Sequence, residues 1–358
     1  MPSLFEPLTF MHGPAMKNRF MLAPLTNLQS HVDGRLSDDE YHWLTLRAQG
    51  GFGLTMTCAS HVQARGQGFP GQLGCWSDAH IDGLRRLAAG IHAAGSLAYV
   101  QLHHAGMRAP AELIGSQPVC PSDDAETGAR ALSLAEVEEV REDFIAAAVR
   151  ADQAGFDGVE LHGAHGYLLS QFISPKYNRR DDRYGGPLQQ RGRLVLEIIA
   201  GIRERCRPDF TLGIRVSPER FGLELGEMRE FVQQLLRDGR LDFIDLSLWD
   251  AFKLPNEAAF QQRPLLDWFM DLERGAVRLG VAGRIMDGAT ARKCLEHGAD
   301  FVTIGRGAVL HHDFPLRVLA NPDFAAMPLP VTVDYLRAEG LGPAFIEYMK
   351  TWQGFVAT

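Results

Sequence analysis

The chain has 358 residues, 46% of them hydrophobic and 22% charged, with a formal net charge of -8 at pH 7. That composition belongs to a folded, core-forming protein. The negative balance argues against broad binding to nucleic acid or anionic membranes, while leaving room for a locally basic pocket. Five scattered cysteines, Cys58, Cys75, Cys120, Cys206 and Cys294, include no C-x-x-C pair. They fit reduced thiols in the cytoplasm and argue against a disulfide framework, a zinc site or an iron–sulfur cluster. The first ten residues lack the basic-then-apolar layout of a signal peptide, and no apolar run reaches membrane-spanning length. The expected location is cytoplasmic.

Short apolar runs alternate with longer amphipathic stretches along the chain. The runs are Phe20–Ala23, Leu54–Thr57, Ala98–Leu102, Gly158–Leu161, Leu212–Val216, Phe243–Leu246, Gly280–Ala282 and Phe301–Ile304. Helices are expected between them. Ser37-Asp-Asp-Glu40 reads as a capping box opening a helix to Ala48, and Ser133-Leu-Ala-Glu136 as another, running to about Ala154. Further helices are expected over Asp78–Ala93, Gln189–Arg205, Glu227–Arg237, within 257–274, and over Ala289–His297. Eight strands alternating with helices imply a parallel sheet with right-handed crossovers. A closed (β/α)8 TIM barrel is the leading reading and a doubly wound open sheet the runner-up. No linker divides the chain, so residues 1–358 read as a single domain. It has a short N-terminal lead-in and a C-terminal helical extension.

In such a barrel, functional groups gather at the C-terminal ends of the strands. The stretch Gly158-Val-Glu-Leu-His-Gly-Ala-His-Gly-Tyr167 delivers His162, His165 and Tyr167 there. Imidazoles donate hydrogen bonds to a carbonyl oxygen, and a phenol can give up a proton. The same His-x-x-His spacing also suits a metal pair or two core histidines, although no third ligand follows nearby. Strand parity puts Gln101 with His103, and Gly213 with Arg215, on shared faces. Gly213 is expected to leave room for Arg215, whose bland alternative is a core ion pair with Glu160. Gly283, Gly305 and Arg306, after the last two strands, resemble an anion site. Gly66-Gln-Gly-Phe-Pro-Gly71 matches a dinucleotide fingerprint only formally. It lacks the strand–turn–helix context and reads as a surface loop.

Together these residues resemble the Old Yellow Enzyme family of flavin-dependent ene-reductases. The marks are Lys17-Asn-Arg19 leading to Ala23-Pro24; Gln101-Leu102; His162-Gly-Ala-His-Gly-Tyr167; and the block from Ser174 through Asn178, Arg180, Asp182 and Tyr184-Gly-Gly186 to Arg191. Ala282-Gly283 and Ile304-Gly-Arg306 complete them. The resemblance implies noncovalent FMN at the barrel mouth, reduced by NADH or NADPH. It places Pro24, Thr26, Ala59, Gln101 and Arg215 against the flavin ring, and Gly283, Gly305 and Arg306 at its phosphate. His162 and His165 would clamp the oxygen of an enone or quinone, and Tyr167 would donate the proton. His103 and Trp249 would line the substrate pocket. Arg180, Asp182 and Arg191 would form an ion-pair network pinning the long loop beneath.

The sequence departs from the family in places. Thr26 stands where one branch has a cysteine, Leu28 where that branch has a tyrosine, and His103 where another has a tryptophan. The C-terminal stretch lacks an arginine that some dimeric members lend to a neighbour; Lys350 or Trp352 is the candidate for similar work. Symmetric dimers are the common default for assembly. The alternatives kept open are a reductase acting mainly on quinones, nitro compounds or dienoyl thioesters, and a flavin-binding protein without turnover.

Overall fold

Eight parallel strands close into a barrel in the computed structural model, which describes residues 3–357. They are β1 (Phe20–Leu22), β2 (Leu54–His61), β3 (Leu97–His103), β4 (Gly158–Gly163), β5 (Thr211–Val216), β6 (Phe243–Ser247), β7 (Arg278–Ala282) and β8 (Phe301–Ile304). β1 pairs with β8 through Phe20 and Val302, so the sheet has no free edge. The largest departure from expectation is β2, which runs past Thr57 to His61. Its pairing with β3 shifts between Met56 and Ala59, a bulge that carries polar Ser60 and His61 on toward the mouth.

The helices follow the capping signals in part. Ser133 and Glu136 exchange hydrogen bonds with each other's backbone N–H groups, fixing the start of Leu134–Gln153. Ser37 caps Asp38–Gln49 by accepting from Glu40 N, but the Glu40 carboxylate turns inward to Asn27 and Ser30 instead of completing the box. The helix expected over Gln189–Arg205 divides at Gly192 into Leu188–Arg191 and Arg193–Arg205. Only two short turns, Ala258–Phe260 and Asp267–Met270, form within 257–274.

The barrel interior changes character from bottom to top. At the bottom it is apolar and aromatic: Met21, Met56, Tyr99, Phe243 and Phe301 pack together. Burying such a side chain contributes roughly 1.5–3 kcal/mol. The N-terminal lead-in seals this end, with Leu8 and Met16 bridged antiparallel and Phe10 against Phe243 at 5.6 Å. Gly213 serves this cluster and not Arg215. A Cβ on Gly213 would sit 2.1 Å from the Phe243 ring, so the missing side chain makes room for the aromatic. Toward the top the interior carries Gln101, Glu160, Arg215, Asp245 and Thr303, all buried.

After β8 the chain forms short helices and returns to the mouth. Gly342 N donates to Gln29 Oε1 at 2.8 Å, and Phe345 meets Trp43 edge-on at 4.8 Å. These contacts hang the helix Pro343–Lys350 over the strand ends.

Candidate active site

β4 ends at Gly163, and the turn that follows is tight. His165 takes a left-handed backbone (φ 59°), unusual for a side chain with a Cβ, and Gly166 follows at φ 68°. Ser217 Oγ, just past β5, accepts from His165 N at 3.0 Å and holds this conformation. The result is a cluster of rings: His162 to His165 at 5.0 Å, and His162 to Tyr167 at 5.0 Å. All three line a cavity of about 160 Å³ together with Thr26, Ala59 and Gln101.

Both imidazoles are neutral. Burial pushes His162 well below its ordinary value, with His165 and His103 adding to the effect. Burial, then Arg215 and Arg108, push His165 down to about 3. Ala164 N donates to His162 Nδ1 at 3.3 Å, so the proton of the neutral ring sits on Nε2. Ser247 Oγ lies 2.7 Å from His165 Nε2. Burial raises the Tyr167 phenol above its usual range, and Arg108 partly offsets this.

The cavity opens into two larger ones that share His165. One, about 510 Å³, is lined by Pro24, Arg215, Gly283, Gly305 and Arg306. The other, about 450 Å³, is lined by Arg108, Tyr167, Arg220 and Trp249. Arg215 and Arg306 thus face one space from β5 and from beyond β8. Arg306 is half-buried, and Arg284 lies close enough to lower its proton affinity further after burial. Two like charges brought together in this way suit an anion. A Cβ on Gly305 would make only ordinary contacts with Ala23 and Leu25, so nothing in the protein fills that approach. Gly283 is different: its Cβ would meet Ala251 N at 2.6 Å, so its bareness admits the loop after β6.

Several placements correct the sequence reading. His103 does not line these cavities. It is fully buried, accepts from Gln72 Nε2 at 3.1 Å, and packs edge-on behind Tyr167 at 4.4 Å. Trp249, by contrast, does line the two larger cavities, standing 70% exposed on the rim between them. The cover over the smaller cavity comes from Phe345, Tyr348, Met349 and Trp352. Lys350 turns away to pair with Glu347. The loop 66–71 is not merely surface, because Phe69 lines the same cavity as Gln101 and Tyr167. The expected ion-pair network divides: Arg180 pairs with Asp182, whereas Arg191 pairs with Glu227. Arg215 contacts Asp245 rather than Glu160, its Nε 3.1 Å from Oδ2 but out of line for a hydrogen bond.

Comparison with known proteins gives this mouth a family. The NADH:flavin oxidoreductase / NADH oxidase family pattern matches residues 3–322. The chain belongs to this family. Among its relatives is a probable NADH-dependent flavin oxidoreductase, YqiG, of Bacillus subtilis, 37% identical over 88% of this chain and 87% of that one. An NADH:acrylate oxidoreductase of Vibrio harveyi is 34% identical over 86% of this chain, but the match spans only 32% of its length. Among solved structures, an Old Yellow Enzyme homologue from Zymomonas mobilis superposes with a TM-score of 0.80 at 27% identity, covering 97% of this chain and 99% of that one. Morphinone reductase in complex with tetrahydroNAD does so with a TM-score of 0.80 at 26% identity, covering 100% and 99%.

Membership in the Old Yellow Enzyme family brings FMN and a nicotinamide reductant. The residues present fit that cofactor. Gln101 Oε1 and Arg215 Nε are buried polar atoms without a hydrogen-bond partner in the protein, at the edge of one mouth. A flat ring with polar edges would satisfy both, and the Arg306–Arg284 end suits its phosphate.

Sequence reasoning missed Arg108, Ser247 and Asp245. Arg108 lies 4.7 Å over the Tyr167 ring and also donates to the His165 carbonyl. Its signal was weak: one arginine in the loop after β3. Asp245 was legible in principle, as a charged residue inside the apolar run of β6.

Proposed function

We propose that the protein is an ene-reductase, reducing the activated C=C bond of α,β-unsaturated carbonyl compounds. The observation that carries this is the convergence of two neutral imidazoles and a phenol on one cavity beside Gln101. Pro24, Thr26, Ala59, Gln101 and Arg215 would hold the ring of FMN, and Gly283, Gly305 and Arg306 its phosphate. FMN bound there supplies hydride transfer, from NADH or NADPH to the acceptor.

The chain's own residues do the rest. His162 donates from Nε2 to the acceptor's carbonyl oxygen. His165 is the second donor in the tautomer whose proton is on Nδ1, with Ser247 Oγ donating to its Nε2. Both rings are neutral, so the oxygen receives hydrogen bonds without taking a proton. This draws electron density from the β-carbon. Tyr167 then protonates the α-carbon, and its raised proton affinity keeps it loaded at neutral pH. Trp249 and Phe69 border the space left for the substrate. The nicotinamide would use the same mouth in turn, as the tetrahydroNAD complex of morphinone reductase suggests.

The test is to reduce the FMN-loaded protein with NADH under anaerobic conditions and add cyclohexenone. Rapid return of the oxidised flavin spectrum is expected. Flavin that stays reduced with the enone yet reoxidises with a quinone would move the reading to quinone reduction. A flavin that no acceptor reoxidises would leave only a carrier.

A further inference from the structure

Barrels of this kind ordinarily fill their interior with layers of branched apolar side chains, each layer drawn from alternate strands. The layer beneath this mouth breaks that rule. Glu160, Asp245 and Thr303 come from β4, β6 and β8, and none is more than 2% exposed. Gln101 Nε2 donates to Glu160 Oε1 at 2.6 Å, and Thr303 Oγ1 donates to Asp245 Oδ1 at 3.1 Å. Arg215 Nε lies 3.1 Å from Asp245 Oδ2. Glu160 Oε2 is left with no hydrogen-bond partner.

The charges do not balance. Two buried carboxylates face one guanidinium, and an uncompensated buried charge is costly enough that such a group neutralises instead. The contact with Arg215 assigns the ionised form to Asp245. Glu160 touches only an amide and is left as the neutral acid. The charged groups facing Glu160 are Asp245 from β6 and Arg215 from β5. Gln101 from β3 is uncharged, and His162, next on the same face of β4, is neutral. Burial raises the Glu160 proton affinity and Asp245 raises it further, against the pull of Arg215.

We infer that Glu160 holds a proton in the resting protein and acts as a redox-tuning residue, governing through Gln101 and Arg215 how readily the mouth accepts negative charge on a bound flavin. While Glu160 is protonated, Asp245 and Arg215 form a neutral pair beneath the cofactor edge. Once Glu160 ionises, one net negative charge lies under that edge and opposes reduction. This rests on the family's FMN chemistry and not on the ene-reductase reading, since any acceptor or none leaves it unchanged.

The experiment is a spectroscopic redox titration of the holoenzyme between about pH 6 and 10, a range set by the raised carboxyl. Over the interval in which Glu160 ionises, reduction should take up one proton more than outside it, seen as a steeper fall of potential with pH. Glu160→Gln, which mimics the neutral acid, should abolish that interval. Asp245→Asn should move it to lower pH, because the repelling charge is gone; a merely structural pair would not shift it. Infrared spectra of the wild-type holoenzyme at neutral pH should show a protonated-carboxyl stretch that Glu160→Gln lacks. The same steep interval in Glu160→Gln would overturn the proposal, and so would a wild-type spectrum without that stretch. Should Glu160→Gln not fold, the shift of the interval in Asp245→Asn decides, and an interval left in place there would overturn the proposal.

Discussion

Ser247 Oγ lies 2.7 Å from Nε2 of His165, joining the end of β6 to the turn after β4. The contact orients the ring and, with the serine donating, leaves the other nitrogen to carry the proton. Ser247→Ala removes one neutral hydrogen bond, worth about 1 kcal/mol. Phenol ligands, whose oxygen stands in for a substrate carbonyl, should bind several-fold more weakly, as read from the flavin charge-transfer band. Unchanged titrations would separate Ser247 from the oxygen clamp.

Tyr167→Phe removes the proposed proton donor and keeps the ring that packs on His103. Reduction of the flavin by the nicotinamide should be nearly unaffected. Reoxidation by an enone should slow by about 10²–10⁴-fold, the usual contribution of a positioned acid. Equal losses in the two half-reactions, measured by stopped flow, would contradict the assignment.

Arg306 faces the same cavity as Arg215, with Arg284 beside it. Replacing Arg306 by Met removes a charge-assisted contact worth about 1.5–3 kcal/mol. FMN should bind roughly tenfold to a hundredfold more weakly by fluorescence titration, whereas riboflavin, which has no phosphate, should bind as before. Equal weakening of both ligands would place the phosphate elsewhere.

The buried histidines make stability depend on pH. Burial lowers His61 to about 4 and His104 and His165 to about 3. Their folded values lie below the unfolded value of about 6.5, so the unfolded chain binds protons first. The stability they contribute is complete above about pH 6.5 and is lost as pH falls toward the folded values. The loss is about 1.4 kcal/mol per pH unit for each such histidine. Thermal unfolding should therefore move steadily to lower temperature from pH 6.5 to 4.5. A flat profile over that range would show the native chain taking up protons as readily as the unfolded one, against the lowered values.

Gly213→Ala would drive a methyl into Phe243, with 2.1 Å between the carbons. Overpacking of this kind costs about 1–3 kcal/mol. The unfolding temperature should drop while the spectrum of bound flavin stays the same.

The barrel was legible because its strands are short apolar runs between helices with their own start signals, as Ser133–Glu136 illustrates. The cluster of His162, His165 and Tyr167 was legible because one turn carries all three. The sequence misled where a residue's purpose lies across the barrel. Gly213 looked like space for its strand neighbour Arg215 and instead admits Phe243 from the next strand. His103 shares a strand face with Gln101, yet Tyr167 covers it. The partner of Arg215 proved to be Asp245, on an adjacent strand some 30 residues away, and no local pattern encodes that pairing. Phe345, Tyr348 and Met349 were read only as a helical extension, because what a terminal helix covers is decided by tertiary packing.

The aromatic cover is supplied largely by one contiguous run, Phe345 to Trp352, while His162, His165 and Tyr167 all come from the end of β4 and the single turn after it. Exchanging that run would reshape the cover and leave the turn after β4 as it stands.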